Sequence, residues 1–329
     1  MQLRLLAAAI PLIALPALAA TPPVPLVFGP DTAPTTGGYP VVTWTNGKPY
    51  VAYYGGTPNG DVSQVWGVFT SEYWPVMRNG KYMEAHGDHL TISNGWAHFV
   101  YEISTRIIEQ KSDFAYELRA DNDGIDLIYS YGGSGDWLIE WPDSGTLIGA
   151  FNGQHDANPH MADGVLVFET AASGSTDRYI EVYSYTNFPR NASWQDKWEF
   201  PGTDTFNANT RDGDIVFEQA GSNGYSDIQY VPAGSHDPRS ITWGVKCRSY
   251  HSPILGFKGD VVLFEGRDCE DGANILYLFN WPTMRWYVVD KVDAGGSSND
   301  HRHYDINEDM VTWGYNGKIF AAQVDLGAL

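Results

Sequence analysis

"ADGVLVFE" (162–169), "RDGDIVFE" (211–218), "FKGDVVLFE" (257–265) and "NEDMVTW" (307–313) are four versions of one line. Each places a tight turn before a run of β-branched and aromatic residues. Asp and Gly tolerate positive φ, so Asp-Gly between two such runs marks a β-hairpin. The turn residues Gly164, Gly213, Gly259 and Asp309 follow one another at intervals of roughly 45–50 residues, long enough for several short strands per unit. Two earlier lines, "TNGKPYVAYY" around Gly47 and "SNGWAHFVYE" around Gly95, repeat the pattern. "NDGIDLIYSY" around Gly124 fits it less closely. No stretch carries the period of a long helix.

Repeats of this length, rich in strands, predict an all-β fold of the β-propeller type. A four-stranded blade buries its two faces only against neighbouring blades, so the chain must run full circle. The anchors give seven blades, or six if "NDGIDLIYSY" is an outer strand. The last unit supplies "HYDIN", "MVTWGY" and "KIFAAQVDL" before the sequence stops. The orphan strand "PLVFG" (25–29) is expected to pair as the outermost strand of that last blade and close the ring. Residues 21–329 then form one propeller domain.

Residues 1–20, "MQLRLLAAAIPLIALPALAA", read as a signal peptide, with Arg4 ahead of an apolar run and small residues at a cleavage site. This predicts a secreted or periplasmic protein. The formal charge of −20 repels nucleic acid and anionic membranes, which excludes both as partners. The expected partner is a carbohydrate or a protein ligand, met by a monomer. Cys247 and Cys269, the two cysteines, are expected to form a disulfide in an oxidising compartment. No P-loop, dinucleotide fingerprint or nucleophile elbow stands in its required context.

Aligned on their turns, the lines place His251, His301 and the pair His155–Asp156 at matching distances ahead of the hairpin. His86 stands similarly ahead of Gly95, and His303 shares a face with His301 if the segment is extended. Such residues would converge at one mouth of the central channel. Polar lining of a water-filled channel accounts for any single histidine as well. His98 and His160 read as structural. Trp96, Trp243 and Trp313 read as packing between blades. Trp137, Trp141, Trp194, Trp281 and Trp286 lie nearer strand ends, where an aromatic face either stacks on a sugar or fills a gap.

Three imidazoles with a carboxylate such as Asp156 or Asp300 suit a divalent metal such as Mn or Zn. The acidic loops "RADNDGID" (119–126) and "RDCEDGAN" (267–274) have the chemistry for Ca, although Asp-Gly turns explain them too.

The recurring lines over residues 85–326 resemble the TolB-like and BNR-like propeller superfamily. The His-x-His pair with a third histidine on an adjoining blade resembles the oligogalacturonate lyases. That resemblance implies a metal held by His301, His303 and His251. Two positions depart from it: "GGSSND" lacks the glutamine expected ahead of the pair, and Arg302 replaces a proline. A further resemblance, to ulvan-lyase propellers, implies β-elimination without a transition metal. It assigns His155 or His251 as the base, Arg248 or Arg302 to neutralise a uronate, and Tyr250 or Tyr304 as proton donor. Arg248, Tyr250 and Asp156 would bind substrate, while His155, His251, Arg302 and Tyr304 would carry the chemistry. The two readings of function are therefore a secreted carbohydrate-engaging propeller, a lyase or glycosidase, and a non-catalytic propeller binding a protein or glycan.

Overall fold

The computed structural model describes residues 24–25 and 37–325, with breaks at 58–59, 71, 81, 95–96, 113–116, 124–125, 133–136, 142–145, 149–153, 173–176, 185–195, 201–203, 222–223, 243–247, 257–258, 269–271 and 294–302. Its strands form seven four-stranded antiparallel sheets that follow one another along the chain. In the first six sheets the first strand lies innermost, and in the seventh the innermost strand is the second in chain order, after Val24–Pro25. In order the innermost strands are Gly37–Thr45, Tyr82–His86, Glu117–Asp123, Gln154–Ala162, Thr205–Arg211, Arg248–Gly256 and Tyr304–Asn307. Each touches the next, and Tyr304–Asn307 returns to touch Gly37–Thr45. The architecture is a β-propeller.

The inner hairpins show why these sequences turn where they do. Thr45 pairs with Lys48, Ala162 with Val165, and Arg211 with Asp214. The two residues between have positive φ in all three: Asn46 (51°) and Gly47 (71°), Asp163 (52°) and Gly164 (83°), Asp212 (49°) and Gly213 (85°). That is the conformation whose twist suits a two-residue hairpin. Gly259 adds a second demand, since its φ is +79° and a Cβ there would meet Asp214 Oδ2 of the preceding sheet at 1.9 Å.

Two expectations shift in register. The inner hairpin of the second sheet turns at Gly87–Asp88, where His86 pairs with His89, and not at Gly95. Asn94 instead follows the second strand of that sheet, so "SNGWAHFVYE" sits one strand further out. Asn-Gly favours any tight reversal and does not say which one. "NDGIDLIYSY" contributes to the inner hairpin of the third sheet, formed by Glu117–Asp123 and Asp126–Gly132. At the N-terminus, Val24 pairs with Ala321 and Pro25 with Phe320 on the outer side of the last sheet. Of the expected strand 25–29, residues 26–29 lie outside the described residues, as do the signal segment 1–20, Cys247 and Cys269.

The core is divided into layers between neighbouring sheets. Val41, Ala52 and Val65 of the first meet Leu90, Ile92 and Tyr101 of the second. Val167, Ile180 and Val182 of the fourth meet Ile215, Phe217 and Val231 of the fifth. Leu263, Leu276 and Leu278 of the sixth meet Tyr304, Ile306 and Trp313 of the seventh. Met310, Ile319 and Ala321 of the seventh meet Val42, Val51 and Trp66 of the first. Each fully buried aliphatic or aromatic side chain contributes about 1.5–3 kcal/mol. Trp313 is buried as expected. Trp286 packs edge-on to Tyr250, Phe264 and Phe279, and Trp281 stacks on Tyr230 at 4.2 Å between ring centroids. Both tryptophans are partly buried and pack against the core between the fifth and sixth sheets. Trp96, Trp137, Trp141, Trp194 and Trp243 have no described side chain.

Candidate functional site

A recurring irregularity shapes the mouth at which the inner strands begin. The inner pairings slip between Gly38 and Val41, Ala157 and His160, Phe206 and Asn209, and His251 and Ile254. Each slip holds a non-glycine residue of positive φ: Tyr39 (55°), Asn158 (51°), Asn207 (54°) and Ser252 (51°). Such bulges turn a backbone N–H out of the ladder and re-aim a side chain.

Carboxylates collect the freed donors. Asn158 Nδ2 donates to Glu169 Oε1 at 2.7 Å, and the Asn207 N–H of the next sheet donates to the same oxygen at 2.8 Å. Asn207 Nδ2 donates to Glu218 Oε2 at 2.9 Å, and the Ser252 N–H of the following sheet reaches that oxygen at 3.2 Å. Glu218 Oε1 lies 2.8 Å from His251 Nδ1. Glu218 is wholly buried, whereas the His251 side chain is 36% exposed. A buried carboxylate is tolerated only when its oxygens are satisfied, and these are.

Beyond Glu169 stands Arg178, 3.5 Å from its Oε2 and bound through two nitrogens to Asp204 at 2.8 and 3.1 Å. A polar chain thus runs from Arg178 through Glu169, Asn207 and Glu218 to His251, across three sheets.

Burial alone would lower the pKa of His251. The hydrogen bond and charge of Glu218 outweigh that burial and raise it above the ordinary histidine value, while the charge of Arg267 acts the other way. Because a carboxylate only accepts, the neutral imidazole keeps its proton on Nδ1 and leaves Nε2 as a base.

The other expected site residues fall differently. His303 lies between the last and first sheets, its ring 5.0 Å from that of Tyr39. Tyr304 is buried, and its hydroxyl contacts the carbonyls of His251 (3.0 Å) and Ser252 (2.8 Å) and accepts from the Glu265 N–H (3.1 Å). Tyr250 is buried among Phe264, Tyr277 and Trp286. Both tyrosines are committed to packing, which corrects their assignment as proton donor and substrate ligand. His301 and Arg302 lie outside the described residues, and for His155, Asp156 and Arg248 the backbone alone is described.

The opposite half of the channel holds a cavity of about 40 Å³ lined by Glu84, His86, His160, Arg211, Asp305 and Asn307 among others. His86 is therefore at the hairpin end of its strand, away from the mouth assigned to it. Arg211 Nη2 donates to Asn307 Oδ1 at 3.0 Å, joining the fifth sheet to the seventh.

Among the described residues no three His, Cys, Asp or Glu side chains gather closely enough to hold a metal ion. His251 and His303, the described members of the expected set, make their contacts at different sheet interfaces. The described donors do not fit a three-histidine centre. The carboxylates at the heart of the site were missed from sequence, although Glu169, Glu218 and Glu265 each close one of the repeated lines. A charged residue recurring at the end of an apolar run was the available signal.

No family model matches the chain. Endo-1,4-beta-xylanase 3 of Pyricularia oryzae is 33% identical over 76 residues, which is 23% of this chain. The chain spans 30% of the length of the curated relatives it matches. Oligogalacturonate lyase from Vibrio parahaemolyticus superposes with a TM-score of 0.61 at 11% identity, covering 93% of this chain and 94% of that one. An oligogalacturonate lyase in complex with manganese gives 0.56 at 10% identity, covering 94% and 99%. Likeness at such identities speaks to architecture: the chain is a β-propeller similar in fold to oligogalacturonate lyase.

Proposed function

We propose that the protein is an exported propeller that engages a carbohydrate at the mouth where the inner strands begin, and that it cleaves a uronate-containing chain by β-elimination with His251 as proton acceptor. The seven sheets are read as seven blades, closed where Val24–Pro25 joins the last. The observation that carries the reading is the half-exposed His251 with its Nδ1 held by wholly buried Glu218. Elimination removes the proton beside the uronate carboxyl, forms a ring double bond and expels the glycosidic oxygen. It needs a base, a cation against the carboxyl and a proton for the leaving oxygen.

Nε2 of His251 supplies the base, and the proton it takes up is returned to the departing glycosidic oxygen. Arg267 is the described cation whose charge acts on His251, and Arg248 and Arg302 remain candidates for the same role. Hydrolysis would instead call for two carboxyl groups facing the scissile bond. Glu169, Glu218 and Glu265 are all buried at 5% exposure or less, so elimination is favoured.

The test is a screen of the purified protein on plant and algal uronate polymers, following the ultraviolet absorbance of the unsaturated product. Activity should rise with pH through the raised titration of His251. His251→Ala should lower it by about 10²–10⁴-fold. No new absorbance on any uronate polymer would overturn the elimination. Sugar binding without cleavage, unchanged in His251→Ala, would make this a binding propeller with its site elsewhere.

A further inference from the structure

Asn207 spends its polar groups unevenly. Its N–H donates to Glu169 and its Nδ2 to Glu218. Its Oδ1 is buried, and no donor reaches it among the described residues. Rotating the amide would give Oδ1 a new neighbour only by turning it against the Glu218 carboxylate, which cannot donate. Among the described residues this buried acceptor is thus left without a protein donor, an arrangement that costs stability. Asn207 also sits at φ 54° in the bulge, a conformation that asparagine tolerates better than most residues. The bulge recurs in other inner strands and accounts for the φ, but local stability does not explain the unpartnered oxygen. It follows if the residue is there to place one N–H against Glu169 and one against Glu218.

From these contacts we infer that Asn207 is a positioning residue: its amide fixes the Glu218 carboxylate so that Oε1 faces His251 Nδ1 and the imidazole presents Nε2 to the mouth. The inference rests on the reading of His251 as proton acceptor, and it adds a residue two steps from the reacting atoms. Glu218 Oε2 has two donors, Asn207 Nδ2 at 2.9 Å and the Ser252 N–H at 3.2 Å. Without the shorter one, the carboxylate is free to turn about its last bond, and Oε1 leaves the imidazole.

Asn207→Gly is the discriminating variant. Glycine accepts the positive φ and keeps the N–H to Glu169, so only the side-chain bond to Glu218 is deleted. The readout is the nitrogen and carbon-bound proton signals of the His251 ring by NMR, above the pH at which it titrates. Wild type should show the Nδ1-protonated tautomer, and Asn207→Gly should shift population toward the Nε2-protonated form. On a cleaved polymer, kcat should fall about tenfold with KM little changed, as for other residues that orient a functional ligand. If the glycine variant does not fold, Asn207→Ala reads the same signal, since it removes the donor without adding a charge beside Glu218. A wild-type ring protonated on Nε2, or a folded variant with unmoved ring signals, would overturn the inference. The NMR result stands whether or not any polymer is cleaved, so failure here is distinct from failure of the proposed activity.

Discussion

The interface between the fifth and sixth sheets and the seam between the seventh and first are built on the same repeat with opposite chemistry. By register from the inner hairpin, Gly314 stands where Glu169 and Glu218 stand, and His303 stands where Asn158 and Asn207 stand. At the fifth sheet a buried carboxylate gathers an amide, a backbone N–H and an imidazole from its neighbours. At the matching position of the seam the carboxylate is gone, and the Val42 N–H is taken instead by Asp305 Oδ2 at 2.7 Å. His303 lies over Gly314, its Nδ1 3.5 Å from where a Cβ would be, and meets the Tyr39 ring instead. One repeat position thus serves as an electrostatic hub in one place and as room for an aromatic contact in the other. A histidine at the mouth is consequently tuned by the residue its neighbouring sheet offers, and similar positions in the alignment need not share a role.

The sharpest way to break this comparison is Glu218→Ala. It strands Asn207 Nδ2 and the Ser252 N–H, and frees His251 Nδ1, and should cost about 1–3 kcal/mol in urea unfolding for each buried donor left without an acceptor. Gly314→Ala, at the matching position of the seam, meets only ordinary contacts and should leave the urea midpoint almost unmoved. Comparable losses from the two would remove the distinction.

Gly259→Ala should follow in size, about 1–3 kcal/mol, because it combines strain at φ +79° with a clash on Asp214. Tyr39→Leu, which deletes the ring contact to His303, should cost about 0.5–1.5 kcal/mol beyond its burial and leave the ring signals of His251 unchanged.

The smallest effect is a pH dependence. The folded pKa of His251 is raised above its unfolded value, so the protonated form binds more strongly in the native state. That contribution is complete below the unfolded value of about 6.5 and is lost as pH rises through the folded pKa. Stability measured across this window should therefore fall with rising pH in wild type, and the slope should flatten in Glu218→Gln. An unchanged slope would mean that Glu218 does not set the charge on His251.

Much of the fold was legible because hairpin chemistry is local. Asp163–Gly164 and Asp212–Gly213 turn where their dipeptides demand, and the apolar lines after them become second strands. Gly95 misled because the same local chemistry also serves the outer reversals of a sheet. The site was legible only in part. His251 was identified by its repeat position, but its partner Glu218 lies on another sheet and was read as the tail of an apolar run. Tyr250 and Tyr304 were assigned chemistry from their neighbourhood in sequence, whereas side chains two apart on a strand share a face and those one apart do not. Tyr250 thus points into the core beside Phe264 and Trp286. Tyr304 reaches across to the carbonyls of the bulged strand before it.

By itself the sequence determined that this chain is all β, that it repeats, and where most inner strands turn back, because turn preference and alternation act over a few residues. Only the tertiary structure decided that Glu218 would face His251 and that His303 would face Tyr39. Those pairings depend on how each sheet is rotated against the next, and that rotation is set by the layered packing of whole blades around the ring.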